Sequence, residues 1–143
     1  MADQNNRLVP VSREEIVILL ESGYVLMNMG KWSEAREVFT GAAALLPKSE
    51  VPRLALGTLE FAQGRHDKAL QEYRKAQQLN PKSALPRAHA GEALLFLGKA
   101  NEATRELKAA VELEPDGDGG QLARALLEAK EAGALPPPKV AKK

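Results

Sequence analysis

Few residues of this chain are of a type and spacing that could do covalent or metal chemistry. There are two histidines, His66 and His89, and no cysteine. The missing thiols exclude disulfides, thiolate nucleophiles and thiolate metal ligands. An imidazole can serve as a general base or metal ligand near neutral pH, but either role needs partners at fixed spacing. His66 falls at a turn between helices and His89 on a helix face, so both read as packing or polar contacts. Asp116-Gly117-Asp118-Gly119-Gly120 mimics the opening of a calcium loop. Such a loop then needs Gly at its sixth place and Glu at its twelfth, where this chain has Gln121 and Leu127. The stretch reads instead as a flexible linker. No Gly-rich loop is placed to cradle phosphate, and Trp32, the only tryptophan, reads as a packing residue by the first turn. The expectation is a protein without metal, cofactor or catalytic activity.

What the sequence does contain is a period. Gly30, Gly64 and Gly98 are 34 residues apart, as are Pro47, Pro81 and Pro115, and Gly23, Gly57 and Gly91. Ala35, Ala69 and Ala103 keep that step, as do Ala42, Ala76 and Ala110, with Phe39, Tyr73 and Leu107 as a large apolar slot. Gly ends a helix well and Pro disfavours helix in the residue before it. The pattern therefore predicts paired helices: A helices over about 13–29, 50–63 and 84–97, and B helices over about 33–46, 67–80 and 101–114. Ser12 with Glu15 is a capping-box pattern at the first start, and Ser49 and Ser83 can cap the next two A helices. Gly23, Gly57 and Gly91 then sit mid-helix, where Gly costs about 1 kcal/mol against Ala. Close approach of the B helix explains them. Ala35, Ala69 and Ala103 are expected to meet these glycines, and the large slot to point toward the next repeat.

A 34-residue helix–turn–helix period with these residues resembles the tetratricopeptide repeat (TPR). The resemblance implies an all-α solenoid of three repeats, about 16–49, 50–83 and 84–117, within a domain over 12–133. Two slots depart from the family pattern. Leu19, Arg53 and Arg87 stand where Trp is usual, and Leu26, Glu60 and Leu94 where Tyr is usual. A terminal repeat needs a solvating cap, and 121–133 supplies one, with Leu122, Leu126 and Ala129 on one side. Residues 1–11 read as a flexible lead and 134–143 as a Pro- and Lys-rich tail.

Composition narrows the partners. Hydrophobic residues make up 44% and charged residues 27%, as in ordinary globular proteins, and the net charge is +1. That balance gives no footprint for nucleic acid. Ile16–Leu20 is too short for membrane insertion or export, so a cytoplasmic protein is expected.

In the repeat family the inner faces of the A helices line a concave groove. The resemblance places Val17, Leu20, Tyr24 and Met27 there, followed by Val51, Leu54, Thr58 and Phe61, and then Leu85, Ala88, Glu92, Leu95 and Phe96. Repeat co-chaperones that clamp a carboxylate tail use Lys, Arg and Asn; the corresponding residues here are Leu20, Tyr24, Ala55, Leu85 and His89. The implied client is a protein or peptide with an apolar segment. Pro86-Arg87-Ala88-His89-Ala90-Gly91-Glu92-Ala93-Leu94-Leu95 further resembles the repeat chaperones of bacterial type III secretion. That family holds translocators or other export substrates before secretion, and gives groove roles to Leu20, Tyr24, Leu54, Phe61 and Glu92. Its translocator chaperones usually carry an added N-terminal helix, for which this chain has only a short polar lead. Two readings stand: a secretion chaperone, or a general adaptor that assembles a complex. Ile16–Leu20 makes the first helix apolar almost all round, which implies a homodimer through the first repeat or cover by a partner.

Overall fold

The computed structural model describes residues 11–135. Among these it has seven α-helices and no strand: α1 (Arg13–Asn28), α2 (Trp32–Leu45), α3 (Val51–Ala62), α4 (His66–Leu79), α5 (Ala84–Phe96), α6 (Ala100–Leu113) and α7 (Asp118–Glu131). The lead, apart from Val11, and the tail beyond 135 lie outside the described residues. Successive helices pair as α1·α2, α3·α4 and α5·α6, and each pair stacks on the next through α2·α3 and α4·α5. The cap α7 packs on both α5 and α6. This is the expected all-α solenoid.

Local signals set the helix ends. Ser12 Oγ accepts from the Glu15 amide at 3.1 Å, and Glu15 accepts from the Ser12 amide at 3.3 Å, completing the capping box. Gly30, Gly64 and Gly98 lie in the left-handed region at φ 75°, 77° and 77°. The next residue in each case, Lys31, Arg65 or Lys99, donates 2.9 Å to a carbonyl five residues back. This Schellman closure satisfies carbonyls left over at the helix end. Ser49 Oγ accepts from the Val51 amide at 3.2 Å. Ser83 makes no such cap bond; Glu114 reaches back instead and accepts from the Ala84 amide at 3.2 Å. A carboxylate of the following B helix thus supplies the cap expected from the serine.

Pairing within each repeat depends on a notch. A Cβ built on Gly23 would overlap the Phe39 ring, one on Gly57 the Tyr73 ring, and one on Gly91 would lie 2.5 Å from Leu107 Cδ2. The large apolar residue therefore enters the glycine notch of its own repeat rather than pointing to the next one. Phe39, Tyr73 and Leu107 are buried, and Ala35, Ala69 and Ala103 are fully buried beside them. The charged residues of the two unusual slots are ion-paired. Arg53 meets Glu72 and Arg87 meets Glu106, both at 3.4 Å. Glu60, only 4% exposed, is held by Arg36 and, at 3.5 Å, by Arg65.

Residues 116–120 are not a flexible linker. The cap helix begins at Asp118, three residues earlier than the sequence suggests, and Gly119 and Gly120 are buried within it. A Cβ on Gly120 would overlap the Glu114 carbonyl, and one on Gly119 would lie 2.5 Å from the Leu85 amide nitrogen. Gly119 lets α7 seat on the start of α5, and Gly120 makes room for the carbonyl at the end of α6.

Gly57→Ala should lower stability by roughly 1–3 kcal/mol, since a ring must leave its rotamer or the helices must separate. Gly41 is the internal control: it is helical and exposed, with nothing within 4 Å of an added Cβ. Gly41→Ala should stabilise by about 0.5–1 kcal/mol. Thermal denaturation by circular dichroism distinguishes the opposite signs.

Candidate functional site

The A helices come closer to one another than the B helices do, through α1·α3, with α7 seated against α5 in the same layer. Their side of the solenoid is accordingly the inner one. Within α1, residues 17, 20, 24 and 27 share one face by helical period, and α3 and α5 repeat that face at the 34-residue step.

Burial divides the expected groove residues into two depths. Val17 and Val51 are exposed, at 48% and 46%. Tyr24, Met27, Thr58, Phe61, Leu85, Glu92 and Phe96 are half-buried. Leu20 and Leu54 are buried at 9% and 8%, and Ala88 and Leu95 have no exposed surface. Leu54, Ala88 and Leu95 correct the sequence expectation, because they lie at the packed base of the face. Leu54 sits in a cluster with Tyr73, Ala76, Ala90 and Ala93, which span the second and third repeats. Ala88 and Leu95 belong to the core that includes Leu107, Ala123 and Leu126. Stacking the next repeat or the cap covers what a single helix would leave open. Leu20 keeps an edge at the surface.

That edge borders a cleft of about 530 Å³ between the starts of α1 and α3. Val11, Ile16, Val17, Leu46 and Val51 line it with Leu20, and Arg13 and Ser49 are its polar members. Val11 belongs to the stretch read from sequence as lead, and Leu46 to the end of a B helix, so period alone assigned neither to this face.

Further along, an aromatic cluster joins three elements. Phe61, His66 and Phe96 have ring centroids 4.6 Å (Phe61–His66), 4.9 Å (Phe61–Phe96) and 4.8 Å (His66–Phe96) apart. Sequence reading placed His66 merely at a turn. The closure at Gly64 folds it back over Phe61, a signal contained in the Phe-to-His spacing across that glycine.

Between the cleft and the cluster lies a polar strip. His89 stacks on Tyr73 at 5.2 Å and 23°. Its Nδ1 lies 3.7 Å from Glu92 Oε1, too far for a hydrogen bond. Thr58 Oγ1 donates to the Leu54 carbonyl at 3.0 Å. Burial raises the Tyr73 pKa far above 10; the Thr58 contact opposes this, while Glu92 and Tyr24 add to it. Burial also raises that of Tyr24. Among the described residues no three of His, Asp and Glu gather to hold a metal ion. No helix there is long and apolar enough to cross a membrane.

Comparison with known proteins gives a consistent picture. Two family models, each described as tetratricopeptide repeat, match residues 20–84 and 60–129. Among solved structures, the Yersinia enterocolitica type III secretion chaperone SycD in complex with a peptide of the translocator YopD is 25% identical. That alignment covers 87% of this chain and 98% of that one, with a TM-score of 0.71. SycD in an alternative dimer is also 25% identical, with coverage of 87% and 98% and a TM-score of 0.73. PcrH, a Pseudomonas aeruginosa protein, in complex with the chaperone binding region of PopD is 26% identical. There the coverage is 88% of this chain and 98% of that one, with a TM-score of 0.70. No curated protein matches the chain in sequence.

The buried phenols predict an alkaline limit. The folded pKa of each tyrosine lies above its unfolded value near 10, so folding favours the neutral form. Its stabilising effect is whole below about pH 10 and is lost as pH rises toward the folded pKa. Because the chain has only two tyrosines, absorbance titration should show both phenols ionising above the usual pH of about 10, Tyr73 last. Urea unfolding should show stability falling over that range, less steeply in Tyr73→Phe. Two ordinary titrations near pH 10 would contradict the burial.

Proposed function

This chain belongs to the tetratricopeptide-repeat family, and on that premise we propose that it is a chaperone of bacterial type III secretion. It holds an extended apolar segment of an export substrate or translocator along the inner face of its A helices. The work is done in the cytoplasm and involves no catalytic step. The observation that carries this reading is the apolar cleft at Val17, Leu20 and Val51; Tyr24, Met27, Thr58 and Phe61, half-buried further along the same helix faces, would continue it. The likeness to SycD, solved with a peptide of the translocator YopD, and to PcrH, solved with the chaperone binding region of PopD, supports it across most of the chain.

An extended segment inserting a few apolar side chains gains about 25 cal/mol per Å² removed from water. Lost freedom and ordering of the segment offset much of that, so micromolar affinity is expected. Leu85, Glu92 and Phe96 complete the path on α5, with Glu92 as its one carboxylate, set to accept from a backbone amide of the client. Few charges line the face, so binding should respond weakly to salt.

The face of α1 turned away from the cleft carries Ile18, Val25 and Met29 at 62%, 57% and 61% exposure. We propose that this stripe covers itself in a homodimer through the first repeat. A general adaptor role remains the second reading, favoured by the charged cleft on the opposite flank described below.

Titration with the PopD chaperone binding region, or with apolar peptides from a co-purifying client, tests the groove. Phe61→Glu and Val17→Glu should each weaken binding roughly tenfold, about 1.4 kcal/mol, with helicity unchanged. Leu54→Glu should instead unfold the protein, since it buries an unpaired charge. Undiminished affinity in both surface variants would refute the groove. For the dimer, light scattering should show two copies per particle, and Ile18→Glu with Val25→Glu should give monomers that still bind peptide. A monomeric parent at high concentration would overturn that part.

A further inference from the structure

The two junctions between repeats are built from the same register and differ in what fills them. At the junction of the second and third repeats, Glu106 accepts from Arg74 at 2.7 Å, Gln77 at 3.1 Å and Arg87 at 3.4 Å. Thr40 and Ala43 stand 34 residues before Arg74 and Gln77, at the junction of the first and second repeats. Shorter side chains there leave a cleft of about 450 Å³ over Arg53 and Glu72, the counterparts of Arg87 and Glu106. It continues past Arg53 into a smaller hollow of about 230 Å³ that reaches Lys75 and Gln78.

The cations of this cleft are underused. Arg53 bonds only Glu72, at 3.4 Å, and Lys75 bonds only Glu72, at 3.1 Å. A guanidinium carries five N–H donors and an ammonium three, so most of their capacity faces solvent. Arg53 and Lys75 side chains are 36% and 53% exposed. Arg36 stands on the other wall, already committed to Glu60 and Gln63. Against Arg53 and Lys75 the two hollows have Glu72 as their one carboxylate, and Pro47, Leu56 and Leu79 give them an apolar floor.

We propose that this cleft is a second docking site, which takes an acidic segment of a protein partner. One of the segment's carboxylates pairs with the free donors of Arg53 and Lys75 in the smaller hollow that both line. A neighbouring apolar side chain rests on Pro47 and Leu79. A carboxylate forked by arginine gains geometry as well as charge, and the volume falls within the roughly 300–1,000 Å³ of sites that bury a ligand. Nucleic acid is a poorer fit. Duplex DNA carries a phosphate charge about every 1.7 Å, which Glu72 opposes, while the apolar floor would go unused. The site lies away from the inner face, so one chaperone could hold an apolar client and an acidic partner together.

Fluorescence anisotropy with the full chain tests this. The probe is a labelled octapeptide of alternating Glu and Leu, and its control is the Gln and Leu counterpart. The acidic peptide should bind at least about tenfold tighter than the control, with affinity falling as salt rises. Arg53→Gln should abolish that preference. So should Thr40→Arg with Ala43→Gln, which copies the closed junction and should leave the melting temperature unlowered, whereas Phe61→Glu should retain the preference. Equal binding of the two peptides, survival of the preference in both cleft variants, or displacement of the probe by a DNA duplex of equal charge would each overturn the proposal.

Discussion

Everything in this fold depends on a large side chain entering the space left by a missing Cβ. Phe39, Tyr73 and Leu107 fill the notches at Gly23, Gly57 and Gly91, and no other residue type fits those glycine positions without displacing a ring or a leucine. Glycine inside a helix costs about 1 kcal/mol. The fold bears that cost three times because each notch sets how closely a B helix lies on its A helix. The fully buried alanines beside them hold the same spacing from the other wall. With the pair fixed, stacking follows from period alone, and the A helices present the same face at every step.

The ends of the solenoid are treated differently. At one end α7 seats on α5 and α6, using buried Gly119 and Gly120 to come close, and takes the place of a further A helix. At the other, α1 has α2 and α3 as neighbours and leaves Val17, Ile18, Val25 and Met29 exposed. Among the described residues, exposed apolar surface concentrates at the first repeat, where the proposed homodimer would bury it. The cleft at Val17 and Val51 also begins there.

Much of this was legible in the sequence because repetition turns single weak signals into strong ones. The glycines at the A–B turns, the prolines after the B helices and the capping box at Ser12 all read correctly, since each acts through local backbone geometry. Depth was less legible. Leu54 and Leu95 have the type and spacing of groove residues, yet neighbouring repeats cover them, and period within one helix carries no information about its neighbours. Asp116–Gly120 misled for a related reason: Gly119 and Gly120, which look like slack, are there for close packing against the start of α5 and the end of α6. Arg53 and Arg87, in a slot where an aromatic is usual, each required a carboxylate found only on the partner helix, nineteen residues on.

The central claim is that a client segment lies along the inner face. Hydrogen–deuterium exchange of the full chain, with and without the chaperone binding region of PopD, tests it most directly. Bound peptide should slow exchange in α1, α3 and α5, above all around Val17, Thr58, Phe61 and Glu92, and leave α2, α4 and α6 nearly as before. Protection concentrated on the B helices, with α3 and α5 unchanged, would contradict the account.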